Sequence, residues 1–422
     1  MSLDCHIRRI ISKPALAAAV FAASSAICGA SWAQSFAPNP ESQLSAITSW
    51  WDTSRNTQFV VYVSQYDEIV VLTCGDGGCW QVAATDPVPG VEPGGLYGTN
   101  PLLPFAGGSP LTGYFDGTTG HLFFVGWELN QHTFDYQHVG DLWEEHIDSS
   151  GTWSGQSLTA ATNATQPWNG KGTGYRPYLV SSLSSLFAQD RQHVFYIGAD
   201  FSQVHDTYFD GAWHDVTISG SIDPPFMGLN LTSYFDGLEH VYAAGQEVYS
   251  SCDECNWLPG TAPSLGGGYV FGETHSGVES IFGMASPGVL RNAYFVGGWY
   301  QSDSWADNYN QNSPLLSYED NSNISPRAFY VGGDQHIYQQ WNDEDITAEI
   351  GAPLAAMGSD DDALSPITGY YDGINDHVFY IGADQHVHEL YMSSTTLSGG
   401  WLQNDLTLSA NATQTDQLPN LP

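Results

Sequence analysis

Short apolar runs separated by turn residues follow one another along the chain, and the pattern is clearest near the C-terminus. There residues 367–371 (ITGYY) precede the turn dipeptide 372–373 (DG), and residues 377–381 (HVFYI), 385–391 (QHVHELY) and Trp401 follow. Asp-Gly between two apolar runs is a strong hairpin signal. The segment therefore predicts four short antiparallel strands joined by tight turns.

The same unit recurs along the chain, with copies that begin near residues 45, 109, 181, 230, 277, 313 and 365. One such unit cannot bury its own apolar face, so the copies must pack against one another. The sequence therefore predicts an all-β fold, a single β-propeller over residues 34–422 with seven four-stranded blades. Ring closure also removes most exposed strand edges, which favours a propeller over an open solenoid.

The fifth copy is the least regular of the seven. It takes Ile281 as the counterpart of Tyr370, and it contains the apolar segment 291–297 (RNAYFVG). If this copy is part of a neighbouring unit, the same pattern predicts six blades.

The N-terminal residues have the features of an export signal. Arg8, Arg9 and Lys13 precede an apolar stretch, and Ser31-Trp-Ala33 supplies the small residues of a cleavage site. We therefore expect residues 1–33 to be a signal peptide and the protein to be secreted or periplasmic. No later segment has about 18 consecutive apolar residues, so membrane insertion is not expected.

The chain is strongly acidic, with 46 acidic and 9 basic side chains and a formal net charge of −37. Such a surface repels a polyanion, so nucleic acid is not expected as a partner. Acidic runs at 343–345 and 360–362 raise the question of calcium, but neither has the Asp-x-Asp-x-Asp-Gly pattern of a calcium loop. No cofactor is therefore predicted, and calcium stays a minor hypothesis.

Four cysteines lie beyond the export signal, in two close pairs. Cys74 and Cys79 form one pair, Cys252 and Cys255 the other, and each pair lies just before a tryptophan at a predicted hairpin turn. Export favours oxidation, so two local disulfides are predicted. The alternative is one four-thiolate zinc site, whose ligands would have to come from two different blades.

The repeat resembles those of the fucose-binding-lectin-like propellers, in particular the bacterial seven-bladed lectins. In that family a basic residue that opens the second strand and an acidic residue in the third hold the sugar hydroxyls. Aromatic residues of an adjacent blade cover the apolar face of the sugar. The resemblance places three pairs at these positions, and histidine mostly replaces the arginine of the family: His377 with Glu389, His193 with Asp206, and Arg327 with Gln339.

The residue types themselves support a sugar site. A sugar needs charged or amide groups for its hydroxyls and a flat aromatic ring for its C–H face. Tyr371 and Trp401 supply such rings beside His377 and Glu389, and Trp213 supplies one beside His193 and Asp206. The alternative is that the histidines are packed strand residues and Trp401 belongs to the core between blades.

The pattern as a whole predicts a secreted carbohydrate-binding protein with several similar sites and glycans as its partners. A protein-binding or cell-surface scaffold propeller is the first alternative. A glycoside hydrolase is less consistent with the sequence, because the acidic residues recur with the repeat instead of forming one pair. No Gly-x-Ser-x-Gly or His-Glu-x-x-His pattern is present, and no enzymatic activity is predicted.

Overall fold

The computed structural model describes most of the chain between residues 46 and 410. The described residues are 46–63, 69–75, 78–83, 110–130, 135–148, 151–167, 182–198, 203–218, 231–235, 237–243, 246–250, 257–259, 263, 265, 270–275, 278–306, 308–309, 313–318, 327–340, 344–357, 364–393 and 400–410. The predicted export signal and the Cys252–Cys255 pair lie outside them. Within the described residues, no helix is long and apolar enough to cross a membrane.

The described strands form seven antiparallel sheets of four strands each, in chain order. Sheet one contains β1 (Ile47–Asp52), β2 (Thr57–Val63), β3 (Ile69–Gly75) and β4 (Gly78–Ala83). Sheet two contains β5 (Leu111–Phe115), β6 (Gly120–Asn130), β7 (Asp135–Ile147) and β8 (Trp153–Ser157). Sheet three contains β9 (Leu183–Ala188), β10 (Arg191–Ile197), β11 (Val204–Phe209) and β12 (Trp213–Thr217). Sheet four contains β13 (Leu231–Phe235), β14 (Glu239–Ala243), β15 (Gln246–Ser250) and β16 (Trp257–Pro259).

The remaining three sheets have the same order. Sheet five contains β17 (Phe271–His275), β18 (Val278–Ser286), β19 (Val289–Phe295) and β20 (Trp299–Trp305). Sheet six contains β21 (Leu315–Tyr318), β22 (Arg327–Val331), β23 (Ile337–Gln339) and β24 (Glu344–Asp345). Sheet seven contains β25 (Ile367–Tyr371), β26 (Asn375–Ile381), β27 (Val387–Ser393) and β28 (Leu402–Asp405).

The first strand of each sheet packs against the first strand of the next, and β25 packs against β1, so the sheets form a closed ring. Hydroxyl pairs join these inner strands: Ser49 to Thr368 at 3.2 Å, and Ser184 to Ser233 at 2.7 Å. The chain is therefore an all-β propeller with four-stranded blades, and this part of the predicted fold is confirmed.

The second strand of each sheet is apolar on both faces because a neighbouring sheet covers each face. In β26, Phe379 packs with Val60 and Leu72 of sheet one, whereas Val378 and Tyr380 pack with residues of sheet six. Successive strand residues point to opposite faces. A continuous apolar run is therefore the expected pattern for a strand between two layers.

Three one-turn helices follow the fourth strands of sheets two, six and seven: α1 (Leu158–Thr162), α2 (Ile346–Ile350) and α3 (Leu406–Ser409). Ser157, Asp345 and Asp405 cap their first turns by accepting a backbone N–H. A side-chain oxygen at this position satisfies one of the free N–H groups of the first turn. Each of these three blades therefore ends in the same kind of capped helical turn.

Sheet five begins earlier than the sequence pattern predicts. Its first strand is Phe271–His275, whereas Ile281 lies in the second strand and the segment 291–297 begins in the third. The expected start near residue 277 therefore falls after this strand. The first strand reads Phe-Gly-Glu-Thr-His, which has little apolar content and so gives no recognisable strand signal.

Cys74 and Cys79 face each other across the β3–β4 hairpin and form a disulfide. This pair agrees with the predicted position between the third and fourth strands.

Candidate functional site

His377 and Glu389, predicted as a pair, lie side by side in sheet seven. The His377 Nδ1 atom is 2.8 Å from Glu389 Oε1, and its Nε2 atom is 3.1 Å from Asp372 Oδ2. Asn404 donates to the second oxygen of Glu389 at 2.7 Å. Both nitrogens of the imidazole and both oxygens of Glu389 thus form hydrogen bonds within the sheet.

The electrostatics of this group follow from its burial and its two carboxylates. Burial opposes the charged imidazole, but the hydrogen bonds to Asp372 and Glu389 outweigh it and raise the pKa of His377 to about 9. Burial also opposes the charge of Asp372, yet the hydrogen bonds from His377 and two backbone N–H groups lower its pKa to about 2. His377 is therefore a buried cation held between acidic groups at neutral pH.

Sheet two contains a similar set of residues, with Gln156 in the place of Asn404, and this set was not predicted from the sequence. His121 Nδ1 is 2.9 Å from Glu144 and its Nε2 is 3.2 Å from Asp116, while Gln156 donates to Glu144 at 2.8 Å. The motif that begins at His121 was visible in the sequence. Its acidic partner was not, because β6 and β7 are longer than the other strands and lengthen the spacing between the two residues.

His193 and Asp206 also form a pair, in sheet three, with Nδ1 3.1 Å from the carboxylate. The other imidazole nitrogen is 3.3 Å from Glu239, which belongs to sheet four. Burial disfavours the charged imidazole, but Asp206 and Glu239 raise the pKa of His193. Burial also disfavours the charged form of Asp206 and thereby raises the pKa of its carboxyl group. The pair therefore connects two neighbouring sheets.

Arg327 of sheet six also reaches across to the next sheet. Its guanidinium lies 3.1 Å from the carboxylate of Asp376 in sheet seven, and that carboxylate is fully buried. Gln339, its predicted partner, is buried opposite Phe329 in the neighbouring strand. Arg327 is thus positioned by the sheet that follows it.

The predicted aromatic partners lie on the opposite face of each sheet. Trp401 is only 3% exposed and packs edge-on against Phe329 of sheet six, and Tyr371 packs against the same cluster. His377 and Glu389 face sheet one instead, where Tyr370 contacts Gln58 at 2.8 Å. The set predicted as one site is therefore divided between two faces of sheet seven.

Trp213 also lies on the opposite face of its sheet from its predicted partners. Its ring meets Phe123 of sheet two at 79°, with ring centroids 6.5 Å apart, while His193 faces sheet four. Both corrections have one physical cause. A neighbouring sheet covers each face of a blade, so apolar content does not reveal which neighbour a residue faces.

The structure brings together a different set, which combines two adjacent sheets. We define a junction cluster as three residues at the boundary between two adjacent sheets. The first is a His, Arg or Tyr of one sheet, and the second is the polar residue of the next sheet that contacts it. The third is the aromatic residue that lies opposite this polar residue in the neighbouring strand. The four clusters are Tyr370, Gln58 and Trp51; His121, Gln192 and Phe187; His193, Glu239 and Phe235; and Arg327, Asp376 and Tyr371.

The aromatic residue is exposed in two of the junction clusters and half-buried in the other two. Phe187 is 38% exposed and Phe235 is 37% exposed, and Trp51 and Tyr371 are half-buried. Phe187 also stacks on Tyr114 of the preceding sheet, with centroids 6.1 Å apart, and Trp51 lies 6.3 Å from Tyr370. Each cluster therefore presents an aromatic surface beside a buried group of polar side chains.

One group among the described residues has metal-ligating geometry. Ligand atoms of Asp384, His386 and Asp405 lie within 4.8 Å of one another. These atoms already have protein partners: His386 binds Asp405 at 2.7 Å, Asp384 binds His388 at 2.9 Å, and Asp405 caps α3. The acidic run 360–362 lies outside the described residues, and Asp345 of the other run caps α2.

No protein-family model and no curated protein matches the sequence. Among solved structures, AofleA from Arthrobotrys oligospora has a TM-score of 0.47 at 12% identity, with 85% of this chain and 84% of that chain covered. The Aleuria aurantia lectin, described as a six-bladed propeller with a novel fucose recognition mode, has a TM-score of 0.43 at 15% identity. That match covers 85% of this chain and 94% of the lectin.

A prolyl endopeptidase structure has a TM-score of 0.45 at 9% identity, and the match covers 93% of this chain and 55% of that chain. The neighbours thus include both binding proteins and an enzyme.

Proposed function

We propose that this chain is an exported carbohydrate-binding protein whose sugar sites are the junction clusters of a seven-bladed propeller. The proposal rests on one recurrence: at four junctions a polar residue of the second strand lies opposite an aromatic residue of the first strand. Repetition of a composite surface is typical of several equivalent binding sites. A glycoside hydrolase would instead need one unique pair of carboxylates.

The chemistry of each cluster fits a neutral sugar. A half-exposed ring beside polar side chains offers an apolar surface for the C–H face and hydrogen-bonding groups for the hydroxyls. Asp372 and Asp116, at the turns beside His377 and His121, have the carboxylates closest to solvent in their sets. A bound sugar would reach these turn carboxylates first.

This proposal regroups the predicted residues and removes two tryptophans from the sites. His377 and Glu389 are placed with Trp51, His193 and Asp206 with Phe235, and Arg327 and Gln339 with Tyr371. Trp213 and Trp401 pack neighbouring blades and are assigned no contact with sugar.

The blade number and the location complete the proposal. Seven four-stranded sheets and the contact between β25 and β1 support seven blades, one more than in the Aleuria aurantia lectin. Export is supported by the residues before Ala33 and agrees with the Cys74–Cys79 disulfide, since disulfides persist in oxidising compartments.

A glycan array on the mature protein, followed by calorimetry with the best-bound neutral oligosaccharide, tests the proposal. Phe187→Ala should lower the number of bound sugars by one and leave the affinity of the remaining sites unchanged. Val216→Ala, in the same sheet and 37% exposed, is the matched control and should leave the number unchanged. Unchanged stoichiometry in Phe187→Ala, Phe235→Ala and Trp51→Ala would contradict binding at the junctions.

A further inference from the structure

The outer hairpin of sheet five differs from those of the other blades. Strands β19 and β20 pair over seven residues each, from Val289↔Trp305 to Phe295↔Trp299. Most side chains of β20 are exposed, although the strand carries two tryptophans and a tyrosine. Trp305 is 80% exposed, the most of any large apolar residue in the described part of the chain.

Polar residues share one face of this hairpin with Trp305. Because side chains alternate along a strand, Gln301, Asp303 and Trp305 project from the same face of β20. Arg291 lies directly opposite Asp303 in β19 and therefore shares that face. An exposed indole, an amide and an ion pair thus form a row on one surface, which we call the hairpin face.

The ion pair on the hairpin face has a fixed geometry. Arg291 donates from Nε and Nη2 to the two oxygens of Asp303, at 2.7 and 2.9 Å. A guanidinium has five N–H donors and a carboxylate has about four acceptor positions, so both groups keep free hydrogen-bonding capacity. A two-point pair of this kind holds that capacity in a defined orientation.

We propose that the hairpin face is an additional binding site for a neutral pyranose. The indole of Trp305 stacks on the C–H face of the sugar, and Arg291, Asp303 and Gln301 bind adjacent hydroxyls. This inference rests on the proposed carbohydrate-binding function, but it is independent of the junction clusters, because the hairpin face contains none of their residues.

Charge supports a neutral ligand over an anionic one. The chain has a formal net charge of −37, which repels uronates and sulfated sugars over the whole surface. Arg291, the cation of the hairpin face, is already paired with Asp303. The hairpin face therefore has no surplus positive charge with which to hold an anion.

The polarity of the strand favours a sugar over a protein partner. The centre of an interface between proteins is a continuous apolar area, and specific interfaces bury about 800 Å² on each partner. On β20 the residues between the two tryptophans are mostly polar, and Gln301, Ser302 and Asp303 are all exposed. A single flat ring with polar neighbours matches the size of one sugar ring.

Calorimetry with the strongest neutral oligosaccharide from the glycan array, and with a uronate oligosaccharide of equal length, tests the inference. Trp305→Ala and Asp303→Asn should each remove one site or weaken it at least tenfold, with no change in melting temperature. Tyr300→Ala is the matched control: Tyr300 is 54% exposed on the same strand but projects from the other face. It should leave stoichiometry and affinity unchanged.

The outcomes separate this inference from the proposed function. Loss of sites in Phe187→Ala with none in Trp305→Ala overturns the hairpin site and leaves the junction sites standing. Loss of a site in Trp305→Ala, with unchanged stoichiometry in Phe187→Ala, Phe235→Ala and Trp51→Ala, supports the hairpin face and contradicts the junction clusters. Equal binding of the uronate oligosaccharide, or no glycan binding at all as expected for a protein-docking hairpin, overturns the inference.

Discussion

The indole of Trp401 in sheet seven meets the ring of Phe329 in sheet six at 90°, with ring centroids 5.6 Å apart. Trp257 and Phe195 repeat this contact between sheets four and three at 80°, and Trp213 contacts Phe123 between sheets three and two at 79°. A tryptophan at the start of the fourth strand therefore packs on the second strand of the preceding blade. Edge-on aromatic pairs stabilise such a contact beyond the area they bury.

This role predicts that Trp401→Ala destabilises the protein. Removal of a buried tryptophan costs the lost transfer free energy and leaves a cavity, together about 3 to 5 kcal/mol. Urea denaturation followed by circular dichroism measures the change in the free energy of unfolding. Trp305→Ala is the control, because an exposed side chain should change stability by less than about 0.5 kcal/mol. Equal stability of the two variants would show that Trp401 does not pack the blades together.

The Cys74–Cys79 disulfide closes a short loop, so its removal should have a modest effect. The loop entropy of such a short bridge corresponds to about 2 kcal/mol. Cys74→Ser with Cys79→Ser should therefore lower the melting temperature without unfolding the propeller. Complete unfolding of this double variant would show that the disulfide contributes much more than about 2 kcal/mol to stability.

Mass spectrometry of the unreduced protein tests both predicted disulfides. We expect peptides that join Cys74 to Cys79 and Cys252 to Cys255. Free thiols with one zinc ion per chain would support the four-thiolate alternative instead.

The pKa of His377 predicts a loss of stability at alkaline pH. Its pKa in the folded protein, about 9, lies above the ordinary value of 6.5, so the folded state holds the proton more tightly. This contribution is complete below pH 6.5 and is lost as the pH rises through about 9, by up to about 3 kcal/mol. Urea denaturation between pH 6 and pH 10 measures it.

The matched variant for this experiment is His377→Gln, which keeps a hydrogen-bond donor but has no titrating group. Its free energy of unfolding should vary less between pH 6.5 and pH 9 than that of the unmodified protein. His214→Gln, at an exposed histidine on β12, should keep the original pH dependence. A pH profile that is the same in all three proteins would contradict the ionised state assigned to His377.

The sequence predicts the strands and local pairs well because these depend on neighbouring residues. The resemblance assigns His377 to the second strand and Glu389 to the third, and in the structure the two side chains lie 2.8 Å apart. The cysteine hairpin follows from the same local rule. Strand number and turn position are therefore visible in the repeat itself.

The sequence does not show which blades share a site. Tyr370 and Tyr371 must face opposite sides of β25, but both sides are covered by aromatic residues of other sheets. Whether Trp401 joins His377 or Phe329 depends on the register of β28, which the apolar pattern does not define. The hairpin face was missed for another reason: the residues around Arg291 resemble a second strand, but in the structure they form a third strand whose partner β20 is largely exposed.

The ion pair between Arg327 and Asp376 gives the last prediction. The carboxylate of Asp376 is fully buried at the junction of sheets six and seven, 3.1 Å from the guanidinium. Arg327→Met leaves this charge buried without its cation and should destabilise the protein by about 3 to 5 kcal/mol. Arg327→Met combined with Asp376→Leu removes both charges and should recover most of that loss, because an apolar pair of similar volume avoids the cost of burying ions. A double-mutant cycle measured by urea denaturation gives the coupling free energy directly. Additive effects of the two substitutions would show that the pair does not hold the two sheets together, and the Arg327 junction cluster would then lose its structural basis.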